Sequence, residues 1–208
     1  MRAIAVREDV RDLILDAAER LLARFGYDKM TMDDLAREVG IGKGTLYLHF
    51  PSKEEVVLSR LDRVIERLTA ELRAIAAADG DPAAKLRDML IARVLHRFDA
   101  ARGYAESIDE LLASIRPGLL ARRERHFDQE AAVFSELLEE GERAGAFSFR
   151  DAETVAQSLL LATNSLLPSS LTVRQLGRRS SVEEKVSNIA ALLIDGLHPR
   201  AVTKGKKS

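Results

Sequence analysis

The stretch TMDDLAREVGIGKGTLYLHFPSKEE, Thr31 to Glu55, limits the fold more than any other part of this 208-residue chain. It prescribes two short helices, a tight turn, and the start of a third, longer helix. The Thr31 hydroxyl can cap free backbone N–H groups at a helix start. Met32, Leu35, Ala36 and Val39 follow at i, i+3, i+4 and i+7, one apolar stripe. Gly40 stops that helix, because glycine accepts the left-handed conformation a helix end often needs. Ile41 and Gly42 make the turn, and a second helix over about Lys43 to Phe50 is ended by Pro51. Leu46 and Phe50, four apart, face inward and leave Lys43, Thr45, Tyr47 and His49 for the other faces. This is the pattern of a helix-turn-helix, whose second helix can enter the major groove of DNA. From Ile41 to Lys53 there is no Asp or Glu, although 31% of the chain is charged. Carboxylates repel phosphate, so a local absence of acid suits a DNA face.

Thr31, Leu35-Ala36, Val39-Gly40, Gly44-Thr45-Leu46-Tyr47, His49-Phe50 and Lys53-Glu54, in that order, resemble the amino-terminal signature of the TetR family of transcriptional regulators. Beyond Glu55 the likeness is only one of length and all-helical style. The resemblance implies contacts with a double-stranded DNA operator from Thr31, Lys43, Tyr47, His49 and Lys53, mostly to phosphate. It also implies close backbone approach at Gly44, with Thr45 and Tyr47 as the candidates for base edges. Position 48 is Leu, where many members carry an aromatic or polar residue, so no base contact is expected from it. A homodimer, and a small-molecule effector that makes a repressor release its DNA, follow from the same resemblance.

The rest of the chain reads as helix. Aromatic residues are only 5%, and prolines 51, 82, 117, 168 and 199 each fall at a break in the apolar pattern. Helix 1 carries Val10, Leu13, Ile14, Ala17, Leu21 and Phe25 and closes at Gly26, with residues 1–9 frayed. Ser52 to Glu55 reads as a capping box, Glu55 reaching back to the cap. The helix it opens runs to about Ala78, roughly 35–40 Å at ~1.5 Å per residue, and outruns the amino-terminal bundle. Further helices are expected from Pro82 to before Gly103, Tyr104 to Ile115, Leu119 to Ala144 and after the Asp151 cap. A second capping box, Ser181 to Glu184, opens the last. The expected architecture is all-α with about nine helices. It divides into a three-helix DNA-binding domain at 1–52, a ligand-binding and dimerisation domain at 53–199, and a disordered basic tail at 200–208. The helix over 152–167, apolar on every face at Leu159 to Leu161, and the stripe on 182–197 are the expected dimer surfaces.

The chain has no cysteine, no apolar run near the ~20 residues of a membrane span, and charge too early for a secretory signal; a cytoplasmic location and no membrane partner are expected. The net charge of −1 weighs against non-specific DNA binding without forbidding a specific site. Gly40 to Thr45 lacks P-loop spacing and no strand precedes it. His126 and Glu130 have no third partner in sequence and read as a surface pair; His96 fits core, pocket or surface alike. No catalytic signature appears, so neither enzyme activity, metal nor cofactor is expected. The alternative is an all-helical enzyme or scaffold with a structural helix-turn-helix. Phe98, Tyr104, Phe127 and Phe134 are candidates to line an effector cavity, although core packing explains each taken singly. Few charges lie on the inward stripes, so a largely apolar effector is expected, its polar handle met by Tyr104 or Asn164.

Overall fold

The computed structural model describes residues 2–102, 108–168, 170, 175 and 177–199. Nine α-helices and no strand are found among them: α1 (Arg2–Lys29), α2 (Met32–Val39), α3 (Lys43–His49), α4 (Lys53–Ala77), α5 (Pro82–Arg102), α6 (Ile108–Ser114), α7 (Arg116–Arg143), α8 (Ala152–Thr163) and α9 (Arg179–Asp195). A 3-10 turn, Asn164–Leu166, extends α8. The all-α expectation is met.

Helix boundaries follow local chemistry. Helix α1 begins at Arg2 rather than after a frayed segment, since no Gly or Pro precedes Gly26 to stop it. At Gly26 the backbone leaves the helix (φ 74, ψ 174) before one more turn closes at Lys29. Gly40 caps α2 in the left-handed conformation, φ 77 and ψ 30. A reciprocal capping box forms where only a simple cap was read: Thr31 Oγ1 accepts from the Asp34 N–H at 3.1 Å, and the Asp34 carboxylate accepts from the Thr31 N–H at 3.2 Å. Ser52 caps α4, but Glu55 does not complete the box; its carboxylate accepts from Arg122 at 2.7 and 2.9 Å instead. A guanidinium offers two charge-assisted bonds where the cap N–H offers one weaker one. The second box is absent too: α9 starts at Arg179 with no side-chain cap, which moves Ser181 into the first turn. Helix α7 starts at Arg116 because Pro117 suits a first turn. Gly118 follows there because a Cβ would run into the Leu58 side chain.

Two apolar cores hold the bundle. The first joins Ile14, Leu22, Leu35 and Leu46 of the first three helices, and Phe50 just after α3, to Val56, Val57 and Leu58 of α4, and runs on into Val94, Phe98, Leu111, Leu166 and Val186. The second packs Leu68, Leu72, Leu86, Phe134, Leu138, Leu160 and Ile194. The α9 stripe thus faces inward: Val182, Val186, Ala190 and Ile194 are buried within the chain, along α5. The surface that α8 and α9 leave uncovered includes Leu161, 59% exposed, and Leu192, 75% exposed.

Candidate nucleic-acid interface and ligand cavity

Helices α2 and α3 meet through Leu35, Leu46 and Phe50, all fully buried. That contact turns Lys43, Gly44, Thr45 and Tyr47 outward together at one end of the molecule, with His49 half-buried beside them. Gly44 is instructive. Its φ is not positive, and a Cβ there would meet nothing within 4 Å. A glycine inside a helix costs ~0.5–1 kcal/mol relative to alanine, and nothing within the fold requires this one. Open space over a bare backbone leaves room for an outside partner to come close.

Several site residues are already engaged within the chain. The Thr31 hydroxyl is bound to Asp34, donating at 2.6 Å. Lys53 donates to the Tyr27 and Asp28 carbonyls at 2.9 and 3.4 Å, and its ammonium lies 4.2 Å from the centre of the Tyr27 ring. Burial, followed by the nearby carboxylates of Glu54 and Asp28, pushes the Tyr27 phenol up, so it stays neutral. The acid-free stretch is not acid-free in space: Lys43 Nζ lies 2.5 Å from the Asp33 carboxylate on α2. The pair is about half exposed, and such pairs contribute only ~0–1 kcal/mol, little resistance to exchange with phosphate. Two more residues bear on this surface: Leu48, from which the sequence leads to no expected base contact, and Arg11, which the sequence does not single out. Leu48 is 76% exposed, an apolar side chain held out beside Tyr47. Arg11 stacks 4.3 Å over the Phe50 ring and donates to Ser59 Oγ at 3.1 Å, tying α1 to the end of α3 and to α4. An arginine directly after Val10 of the apolar stripe carries no sequence signal of that role.

A second feature lies farther along α4. Helices α4, α5, α6 and α7 enclose a cavity of about 300 Å³. Leu61, Ile65, Ala101, Leu111, Leu119 and Phe127 give it apolar walls, and Asn164 reaches it from the turn after α8. Of the candidates read from sequence, Phe127 and Asn164 line this cavity. Phe98 and Phe134 are buried in the first and second core, respectively, and Tyr104 lies outside the described residues. The walls are also more ionic than the inward stripes implied, because arginines flanking the stripes curl into the space: Arg93, Arg97, Arg116, Arg123, His126 and Glu130 all border it.

Glu130 is not half of a surface pair with His126. It is 1% exposed and accepts from Arg93 Nε at 2.7 Å and from Arg97. Arg93 spends its other donors on the Leu160 carbonyl, Thr163 Oγ1 and Asn164 Oδ1 at 3.2, 2.8 and 2.8 Å. Burial pulls the Arg93 guanidinium down to about 10, against the opposing pull of Glu130. Burial pushes the Glu130 carboxyl up, yet the two guanidiniums and their hydrogen bonds outweigh it and hold it below the usual carboxylate range. His126 instead meets Asp62 of α4 at 2.7 Å. His96 sits half-buried, 2.9 Å from Glu71. Among the described residues no group of His, Asp and Glu could hold a metal, and no helix is long and apolar enough to cross a membrane.

A short outward-facing helix held against the preceding one by a buried contact is the arrangement of a helix-turn-helix. Comparison with known proteins narrows the class. Residues 14–59 match the family of bacterial regulatory proteins, tetR family. The chain is similar to the HTH-type transcriptional regulator EthR of Mycolicibacterium smegmatis, 37% identical over 81 residues, which is 38% of this chain and 37% of that protein. It is also similar to the transcriptional repressor KstR of the same organism, 36% identical over 80 residues, 38% of this chain and 39% of that one. These matches span well under half the length of either relative. The fold extends further. A transcriptional regulator from Cytophaga hutchinsonii superposes with a TM-score of 0.76 at 20% identity, covering 90% of this chain and 98% of that one. The amino-terminal helices, residues 14–59, are thus similar to those of tetR-family regulators, and the rest of the chain shares the fold of a transcriptional regulator.

Proposed function

We propose that the protein is a repressor that binds a near-palindromic operator as a homodimer through α3 and releases it when a small molecule fills the cavity. The observation that carries the DNA reading is the outward face of α3, where Lys43, Thr45 and Tyr47 surround a glycine the fold does not require. Lys43, His49 and Lys53 supply phosphate contacts and Thr31 the end of α2; Thr45 and Tyr47 reach base edges. Leu48, from which sequence alone leads to no base contact, is exposed beside Tyr47 and joins them as an apolar contact for a thymine methyl group. Residues 1–52 act as the reading head and 53–199 as the sensing and pairing body. A gel shift with DNA from the protein's own promoter region tests this. Binding should weaken steeply with salt, and Lys43→Ala should flatten the salt slope by about one unit. Loss of Lys43 without effect on affinity or slope would defeat the assignment.

One short helix reads few base pairs, so two must lie in successive major grooves, ~34 Å apart. The exposed faces of α8 and α9, with Leu161 and Leu192, offer the apolar surface for a four-helix contact between two copies. Light scattering should give twice the chain mass of 23.0 kDa; a monomer at micromolar concentration refutes pairing.

The route from cavity to DNA is ionic as well as steric. Helix α4 starts beside α3, and two of its acids face α7: Glu55 meets Arg122, and Asp62 meets His126, Arg122 at 3.3 Å and Arg125 at 3.2 Å. Burial pushes the Asp62 carboxyl up, but its bond to His126 and the charges of Arg122, His126 and Arg125 outweigh that and hold it down. His126 borders the cavity, so a ligand that moves α7 pulls on α4 through this ladder. The ligand can shift the equilibrium only by its preference for the released state, typically ~1–3 kcal/mol.

A further inference from the structure

The cavity's charge is one-sided. Among the described residues its ionisable border holds five basic side chains, Arg93, Arg97, Arg116, Arg123 and His126, against one acid, Glu130. That acid is shared by Arg93 and Arg97, so the buried cluster keeps an excess positive charge after pairing. His126 is satisfied by Asp62. Arg116 and Arg123 differ from the rest: both are exposed, and neither pairs with a carboxylate among the described residues. They stand seven residues apart on α7, hence on one face, and Leu119, Leu120 and Phe127 share that face and also line the cavity. The stripe that α7 turns to the space thus interleaves cations with apolar side chains. Two exposed arginines at the mouth, an excess positive charge at the depth and apolar walls between them are complementary to one kind of molecule.

We propose that the cavity binds an anionic amphiphile: a carboxylate or phosphate head held by Arg116 and Arg123, with an apolar body among Leu61, Ile65, Leu111, Leu119 and Phe127. The inference rests on the cavity being the effector site and names the chemistry of its occupant. Guanidinium forks take carboxylate and phosphate oxygens two at a time, which gives the head its orientation. The positive cluster behind the body repels a cationic molecule, and a neutral one leaves the mouth arginines unused. A volume of about 300 Å³ suits a short chain or a small ring system rather than a long acyl chain laid out whole.

Binding to the full-length protein without DNA, measured by calorimetry below the micelle-forming concentration, tests the proposal with four probes of equal chain length. They are decanoate, decyl phosphate, decan-1-ol and decyltrimethylammonium. At least one of the two anions should bind, and the tighter of them identifies the head. The alcohol and the cation should bind weaker by about tenfold or more, the loss expected when charge-assisted hydrogen bonds go unmade. The double variant Arg116→Gln/Arg123→Gln should lose that same factor for the anions and leave the alcohol unchanged. Because both side chains are exposed, its melting temperature should match the wild type. Equal binding of alcohol and anion, no loss in the double variant, or no binding by either anion overturns the proposal. Release of operator DNA is scored separately. An anion that binds without releasing DNA keeps the ligand class and refutes regulation through this cavity. Release by the alcohol alone keeps the regulation and refutes the class.

Discussion

Replacing Glu130 with Gln is the sharpest perturbation the structure offers. Glu130 is 1% exposed and Arg93 2%, so neither can turn to water when the pairing changes. A neutral amide can accept from one guanidinium through its oxygen, but its NH2 then faces the donors of the other. Two buried or half-buried positive charges would stand 2.7 Å or so from a group that no longer neutralises them. Removing one partner of a buried ion pair typically costs about 3–5 kcal/mol. At roughly 2–4 °C per kcal/mol for a chain of this size, the melting temperature should fall by roughly 6–20 °C at neutral pH. Acid should erase the difference. The folded Glu130 carboxyl lies below its ordinary value. Its contribution is therefore complete above ~4.3, the ordinary glutamate value, and is lost as pH falls through the lower folded value. The variant has no such step. Thermal unfolding followed by circular dichroism from pH 7 to pH 3 should show the two curves converging in acid. A second substitution checks the cause: Glu130→Gln with Arg93→Met should be less destabilised than Glu130→Gln alone, since one buried charge is gone. A variant that melts within about 2 °C of wild type, or a gap that persists unchanged into acid, would show that the network does not hold the body together as argued.

Other outcomes follow from single positions. Gly44→Ala should raise stability by about 0.5–1 kcal/mol in chemical unfolding while weakening operator binding, because the new Cβ meets nothing in the protein but occupies the DNA face; unchanged affinity refutes close approach there. Gly40→Ala has equally open surroundings but φ 77, so it should instead lose about 1–2 kcal/mol. Tyr47, 51% exposed, should tolerate alanine with little change in melting temperature and lose operator affinity; an unfolded variant would show it to be core. Asp62→Asn should leave operator binding near wild type and blunt ligand-driven release; a full response to ligand would remove the α4–α7 ladder from the route.

The helices and the outward residues of α3 were legible because they are set by local pattern: apolar spacing, Gly40, Pro51, and the absence of acid after Ile41. What escaped was set by partners distant in sequence. Glu55 looks like a capping residue until Arg122, 67 positions away, takes its carboxylate. Glu130 and His126 sit four apart on one helix and were read as a surface pair, yet each is turned toward a different helix. Lys43 has no acid in its own segment, and Asp33 reaches it across the turn. The cavity was misjudged for the same reason. Phe98 and Phe134 carry the strongest apolar signal and therefore went to the cores, whereas the arginines that border the space lie off the stripes.

The first core bears on how such a protein can be rebuilt. Val56, Val57 and Leu58 pack with the helices before Pro51 and with α5 as one unit. Arg60, 2% exposed, donates to the Ala100 carbonyl at 3.3 Å and lies 3.5 Å from Glu19; Arg63 holds Asp12 and Asp16 of α1 at 3.3 and 2.6 Å. A chimera that joined this reading head to another sensor at residue 52 would strip α1 of its guanidinium partners and leave Leu46 and Phe50 facing foreign side chains. The transplantable cassette therefore extends through Arg63 and must bring with it a matching surface from α5, so exchange of specificity between relatives is a problem of grafting an interface rather than of splicing a linker.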